Sequence, residues 1–213
     1  MIVGVKTVRM ETKGGVKEYY SKGDFSKSFE PQDGAKKSSD KPIYVIQLHK
    51  AKRMHFDFRL EVDGLLISWA VPKGPSTDPR KKRLAVRTED HQLEYADFEG
   101  NIPEGEYGAG TVIVWDKGVY ENVSTKVDKK VSMSAALQAG HIKFRLFGEK
   151  LRGGYSLIQT KMRGEDKNWL LVKDNDAEAD VHRNPVSTDP ESVLSGKTIE
   201  EMERVLEENG RGD

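Results

Sequence analysis

The chain has 213 residues, with 35 Lys+Arg against 35 Asp+Glu, 36% hydrophobic and 33% charged residues, and no cysteine. That length suits one domain with its own core plus solvated segments, and the lack of cysteine excludes disulfides and thiolate metal sites. No apolar run approaches the roughly 18 residues of a membrane span and the first ten residues hold no signal-peptide core, so a soluble, cytoplasmic protein with no membrane partner is expected.

Residues 1–60 hold 13 Lys+Arg against 7 Asp+Glu, and residues 174–213 hold 4 against 12. Such a split fits a polyanion on one face, but taken alone it fits two solvated ends better. In chain order, Ile2–Met10 alternates weakly and suggests a strand, Glu11–Gly15 a turn and Val16–Lys22 a short helix. Phe29–Lys41 carries Pro31 and Gly34 among charges and reads as a linker. Residues 1–42 are therefore taken as a basic arm and linker. From Ile43 the chain becomes dense in short apolar alternations. Strands are expected at Ile43–Leu48, His55–Val62, Leu65–Val71, Arg83–Thr88, Tyr95–Glu99, Thr111–Asp116, Gly118–Asn122, His141–Leu146, Gly154–Thr160 and Trp169–Lys173. Asp63-Gly64 is a two-residue hairpin turn. Ser132 can cap a helix over Met133–Ala139 that Gly140 closes. The spacing indicates a mainly β chain, an antiparallel barrel or sandwich, over residues 43–174. Residues 175–213 read as a loose acidic arm ending in a helix that a Thr198–Glu201 capping box opens.

Gln47–Val62 carries the chemistry. From His55 the period of two is strict, so His55, Asp57 and Arg59 share one face and Phe56, Phe58, Leu60 and Val62 the other. A turn at Lys50–Met54 would bring His49 back beside His55. Two imidazoles and a carboxylate suit a divalent metal with open positions, and an adjacent guanidinium suits a phosphate oxygen. The plainer reading is the solvated side of an amphipathic strand. Lys73, pinned in Pro72-Lys73-Gly74-Pro75, suits a phosphate contact or a surface turn. His91 follows Glu89 and Asp90, and Tyr95 offers a hydroxyl; both also suit structural roles. Ile102–Gly110 is glycine-rich but lacks a Gly-Lys-Ser/Thr ending and reads as a tight turn, not a nucleotide loop. His141 and His182 have no ligand-spaced partner.

Tyr44–Lys50 with His55–Glu61, Ser68–Pro75, Glu89–His91 with Tyr95–Gly100, and Ile102–Gly105 with Tyr107–Thr111 closely resemble the 3′-phosphoesterase domain of the multifunctional ATP-dependent DNA ligases of bacterial end joining and its stand-alone archaeal relatives. A looser match runs from Tyr20 to Lys173. The resemblance implies an antiparallel β-barrel with a flanking short helix. It implies a hydrolase that resects DNA 3′ ends, first removing a terminal ribonucleoside as a phosphodiesterase and then the 3′-phosphate as a phosphomonoesterase, leaving a 3′-hydroxyl. Manganese, or another divalent metal, is the implied cofactor, with ligands on His49, His55 and Asp57. Arg59, Lys73, Arg83 and His91 would handle phosphate, and His91, Arg59 and Tyr95 would be catalytic. The implied partners are DNA 3′ ends of primer–template or nicked DNA and, since these residues carry no ligase module, a DNA ligase in trans. Gly153-Gly154-Tyr155 departs from the family's Gly-x-Trp and concerns packing more than chemistry. Two rival classes remain. One is a non-catalytic DNA-end-binding accessory module of a ligase. The other is an iron oxygenase, which the surrounding cations argue against.

Overall fold

The computed structural model describes residues 41–106, 108–160, 164 and 166–210. The strand, helix and linker expected before residue 41 lie outside them. The period-two run forms strand β2 (Met54–Val62), and Tyr44–Leu48 extends to β1 (Ile43–Lys50). They pair antiparallel, with His49 opposite His55 and Lys50 opposite Met54. β3 (Leu65–Val71) follows across Asp63 (φ 50°) and Gly64 (φ 81°), the paired left-handed conformation that a two-residue hairpin requires.

The remaining wall strands are β4 (Lys82–Arg87), β7 (Gly110–Asn122), β10 (His141–Gly148), β11 (Arg152–Gln159) and β12 (Asn168–Lys173). The order β1-β2-β3-β4-β12-β11-β10-β7 closes by pairing β7 with β1, giving an eight-stranded antiparallel barrel without a free edge in its wall. Outside it, β5 (His91–Gln92) pairs with β3 and β6 (Gly100–Ile102) with β7. β8 (Thr125–Lys126) and β9 (Lys129–Lys130) form a separate hairpin. The flanking helix α1 (Met133–Gln138) starts at Ser132, whose hydroxyl accepts from the Ala135 amide at 3.1 Å. α2 (Pro185–Thr188) is one turn, and α3 (Ile199–Gly210) opens on the expected capping box: Thr198 N donates to Glu201 Oε2 at 2.9 Å and Glu201 N to Thr198 Oγ1 at 3.3 Å.

Three expectations are corrected. Tyr95–Glu99 is no strand: Leu93–Asp97 is a 3-10 helix, which lets the consecutive Tyr95 and Ala96 both turn inward, as alternation cannot. The two strands expected over Thr111–Asp116 and Gly118–Asn122 are one. Gly118 is there because the Phe147 carbonyl would lie 2.2 Å from a Cβ, not because the chain turns. Finally, the stretch 174–197 is fastened, not loose. Thr77 Oγ1 donates to the Asp180 and Arg183 carbonyls, both at 2.8 Å, and Trp115 Nε1 donates to the Asp189 carbonyl at 2.7 Å.

The barrel interior takes the even residues of β1 and β2, packed with Trp69, Phe144, Leu146, Tyr155 and Leu157. Tyr155 is buried in this core, 6.4 Å from the Phe144 ring, so its departure from tryptophan is a packing matter. The outer face of β1, β3 and β7 is also covered. Val45, Leu66, Val112 and Val114 form a second, smaller core with Tyr95, Ala96, Phe98 and Ile102. The segment 88–109 thus lies over the barrel's outside, and the functional cleft opens between segment and wall.

Candidate metal and phosphate site

The odd residues of β1 and β2 project into that space, so the polar face is not a solvated one. Asp57 is only 7% exposed, Arg59 3% and His49 5%. A cleft of about 280 Å³ is lined by His49, His55, Asp57 and Arg59 from the wall, Ala70 from β3, and Thr88, Glu89, His91 and Tyr95 from the covering segment.

His49, His55 and Asp57 each offer a ligand atom, all within 4.8 Å of one another. His49 Nδ1 lies 3.3 Å from Asp57 Oδ2, and His55 Nε2 lies 3.5 Å from Asp57 Oδ1. His55 Nδ1 donates to the Arg53 carbonyl at 2.9 Å, which leaves the Nε2 lone pair facing the cluster. His49 Nε2 is buried and has no hydrogen-bond partner among the described residues. An orphaned imidazole nitrogen beside a carboxylate and a second oriented imidazole fits a divalent metal's donor set. Burial alone would raise the Asp57 carboxyl. The Arg59 charge, the hydrogen bond from His49 and the adjacent His55 ring outweigh it and hold the group far below the usual carboxylate range. Burial likewise opposes a charge on His55, but Asp57 prevails and raises its pKa.

Arg59 joins this cluster to the rest. Its Nε donates to Gln47 Oε1 at 2.8 Å, Nη1 to Ser68 Oγ at 2.7 Å, and Nη2 to Asp57 Oδ2 at 3.2 Å. Its Cζ stands 5.0 Å from the centre of the Tyr95 ring. Gln47 turns its amide nitrogen to the Tyr95 and Phe98 carbonyls at 3.0 and 3.1 Å, so one side chain fixes both Arg59 and the covering segment. His91 Nδ1 lies 2.8 Å from Arg59 Nη1, which can only donate, and 3.0 Å from the Glu89 carbonyl, which can only accept. Burial, then the Arg59 charge, push the ring's pKa well below its ordinary value.

Of the residues expected from sequence, the structure brings together His49, His55, Asp57, Arg59, His91 and Tyr95. It does not bring Lys73 and Arg83 into the lining. Lys73 is exposed on the turn after β3, where Gly74 N donates to the Val71 carbonyl at 3.0 Å. Arg83 projects from the opposite face of β4. Val86 pairs with the cleft-lining Ala70, and Arg83 has the other parity, shared with the core residue Ala85. His141 and His182 are exposed and outside the cleft. Ile102–Gly110 is indeed a turn, between β6 and β7, and Gly108 reaches the cleft. Gln47 and Ser68 were missed by sequence reasoning. For Gln47 the available signal was its parity with His49 on β1.

No helix among the described residues is long and apolar enough to cross a membrane. The sequence profile described as the DNA ligase D 3′-phosphoesterase domain matches residues 47–159. Over 187 residues, 85% of this chain, the sequence is 50% identical to the multifunctional non-homologous end joining protein LigD of Pseudomonas aeruginosa. Over 159 residues, 74% of the chain, it is 45% identical to the protein of that name from Mycolicibacterium smegmatis. These matches cover 21% and 20% of the two relatives, so the chain spans about a fifth of their length. A cleft holding a metal-ready His–His–Asp cluster beside a braced arginine thus lies inside the matched region, and the chain belongs to the DNA ligase D 3′-phosphoesterase domain family.

Proposed function

We propose that this protein is a metal-dependent phosphoesterase that heals DNA 3′ ends, removing a terminal ribonucleoside and then the remaining 3′-phosphate to leave a 3′-hydroxyl. Family membership supports the DNA end-processing role. The observation that carries the finer reading is the seat of Arg59. Its guanidinium is held by Gln47, Ser68 and Asp57 in the wall of a cleft that also contains the metal-ready cluster.

His49, His55 and Asp57 would hold the metal, with manganese the first candidate. When bound, such an ion supplies Lewis-acid polarisation of a phosphoryl oxygen and a more acidic water. Arg59 balances the charge that grows on the phosphoryl oxygens, and its three braces mean that little reorganisation is needed. His91, held neutral by burial and Arg59, lines the cleft and hydrogen-bonds a phosphoryl oxygen. Tyr95, 4.7 Å from the His91 ring and stacked on Phe98 at 5.0 Å, fixes the imidazole plane. Lys73, exposed on the turn after β3, contacts a phosphate outside the reacting group, and a DNA ligase acts on the healed end.

The test uses labelled primer–templates ending in one 3′-ribonucleotide or a 3′-phosphate, with Mn²⁺ or EDTA, resolved on a sequencing gel. Metal-dependent shortening to a 3′-phosphate and then a 3′-hydroxyl is expected, and His55→Ala should abolish both steps. DNA bound without turnover would instead favour an end-binding module, and undiminished turnover by His55→Ala would sink the metal assignment.

A further inference from the structure

The two flanks of the cleft differ in charge: one is mixed and the other basic. Part of the sheet runs in the order β6-β7-β1-β2-β3-β4, and the cleft lies over β1, β2 and β3. On the β7 side, α3 packs against β6 and β7 and brings Glu200, Glu203 and Glu207, with Glu104 nearby on the β6–β7 turn. A second cleft of about 580 Å³ opens there and shares Ala51 and Ile102 with the first. Its Lys50 is held by Glu203 at 2.7 Å, and the exposed Lys52 in the same lining stands against Glu104, so this flank has no net excess of cations.

On the β4 side cations are in excess. Val86 shares the face of Ala70, and by the period of two so do Leu84 and Lys82. Lys82 is exposed and makes no ion pair among the described residues. Lys81 and Arg80, beside it, share the single carboxylate of Asp78, leaving an excess of positive charge. Lys73 is exposed on the turn between β3 and β4. Lys82 lies four residues along β4 from Val86, roughly 13 Å at ~3.3 Å per residue, so a phosphate it holds is not the reacting one.

We propose that the 3′-ended strand leaves the cleft over β3 and β4, with Lys82 holding a backbone phosphate upstream of the terminus. This rests on the phosphoesterase reading, and it adds a strand path that the reacting residues do not define. Attraction by the unneutralised lysines of the β4 flank acts within a Debye length of about 8 Å at physiological salt.

The experiment measures kcat and KM on 3′-phosphorylated DNA single strands of about two and about twelve nucleotides, alone and annealed to a complement. Lys82→Glu should raise KM for the long strand about tenfold, leave its kcat and the short strand unchanged, and lower the salt slope of binding by about one. Lys82→Ala should do the same more weakly. Glu207→Lys should leave KM unchanged. Equal loss on both lengths would overturn the proposal, as would a length effect seen only with the complement present, or a lower KM for Glu207→Lys. Failure of the phosphoesterase reading shows separately, as no turnover by the unsubstituted protein. Fluorescence anisotropy of the long strand then still reports whether Lys82 contributes to binding.

Discussion

His91 sits where two effects agree. Burial disfavours its cation and the Arg59 charge adds to this, so its pKa falls well below the ordinary value, whereas in the unfolded chain it titrates near ~6.5. Between those values the unfolded state binds a proton that the folded state refuses. The contribution to stability is thus complete above ~6.5 and lost as the pH falls. His55 has the opposite sign: its raised pKa contributes stability below ~6.5 that is lost as the pH rises through the folded value. Asp57 stays ionised over this whole window, since its carboxyl is held far below its usual range. Urea unfolding of the metal-free protein at about pH 7.5 and about pH 5.5 isolates His91 when the protein is compared with His91→Gln, because His55 is common to both. The unsubstituted protein should lose more stability on acidification than the variant. Equal losses would mean that Arg59 does not oppose the ring's protonation.

At the scale of elements, the site depends on how the β1–β2 hairpin is held. His49 and His55 are directly opposed one pair before its end, with ring centres 4.8 Å apart. β7 pins that end by close approach. A Cβ on Gly110, whose φ is +140°, would lie 2.2 Å from the Lys50 carbonyl oxygen. Gly110→Ala must therefore push Lys50 outward and part the two histidines. It should cost about 2 kcal/mol or more in unfolding free energy and diminish the rise in Tm that a divalent metal produces; an undiminished rise would show that the hairpin end does not control the cluster. Much of this was legible in the sequence, since a strict alternation from His55 to Val62 and an Asp-Gly turn fix parity, and parity alone placed His55, Asp57 and Arg59 together. Gln47 and Ser68 were not legible, because an amide and a hydroxyl carry no metal-binding or titrating signature until Arg59 is seen donating to both. Nor could the parity of β4 say which face meets the cleft; that needed the pairing of Ala70 with Val86, which turns Arg83 away.

For the molecule as a whole, composition suggested two solvated ends, yet acidic content does not reveal whether a segment is bonded. The stretch after β12 runs along the barrel and closes it through polar contacts. Lys173 has a fully buried side chain, paired with Asp176, and Asp176 Oδ2 also accepts from Gly154 N at 2.6 Å. Trp115 Nε1 finds its acceptor at Asp189, and Val193 N donates to the Val114 carbonyl at 2.9 Å beside the second core. Beyond these, α3 adds Ile199 and Met202, 2% and 8% exposed, to the main core. Two truncations then separate. Ending the chain after Lys197 removes α3 and the apolar burial of two side chains, about 3–5 kcal/mol, and should leave a folded but weakened barrel. Ending it after Asp174 also strips Lys173 of its carboxylate, about 3–5 kcal/mol for a broken buried pair, and orphans the Trp115 N–H at about 1–3 kcal/mol. The sum reaches the whole stability of an ordinary domain, about 5–15 kcal/mol. Near-UV circular dichroism with urea unfolding should therefore show a cooperative transition for the first truncation and none for the second. A cooperative transition after the shorter cut would make residues 175–213 an appendage, and would return the barrel's closure to its eight strands alone.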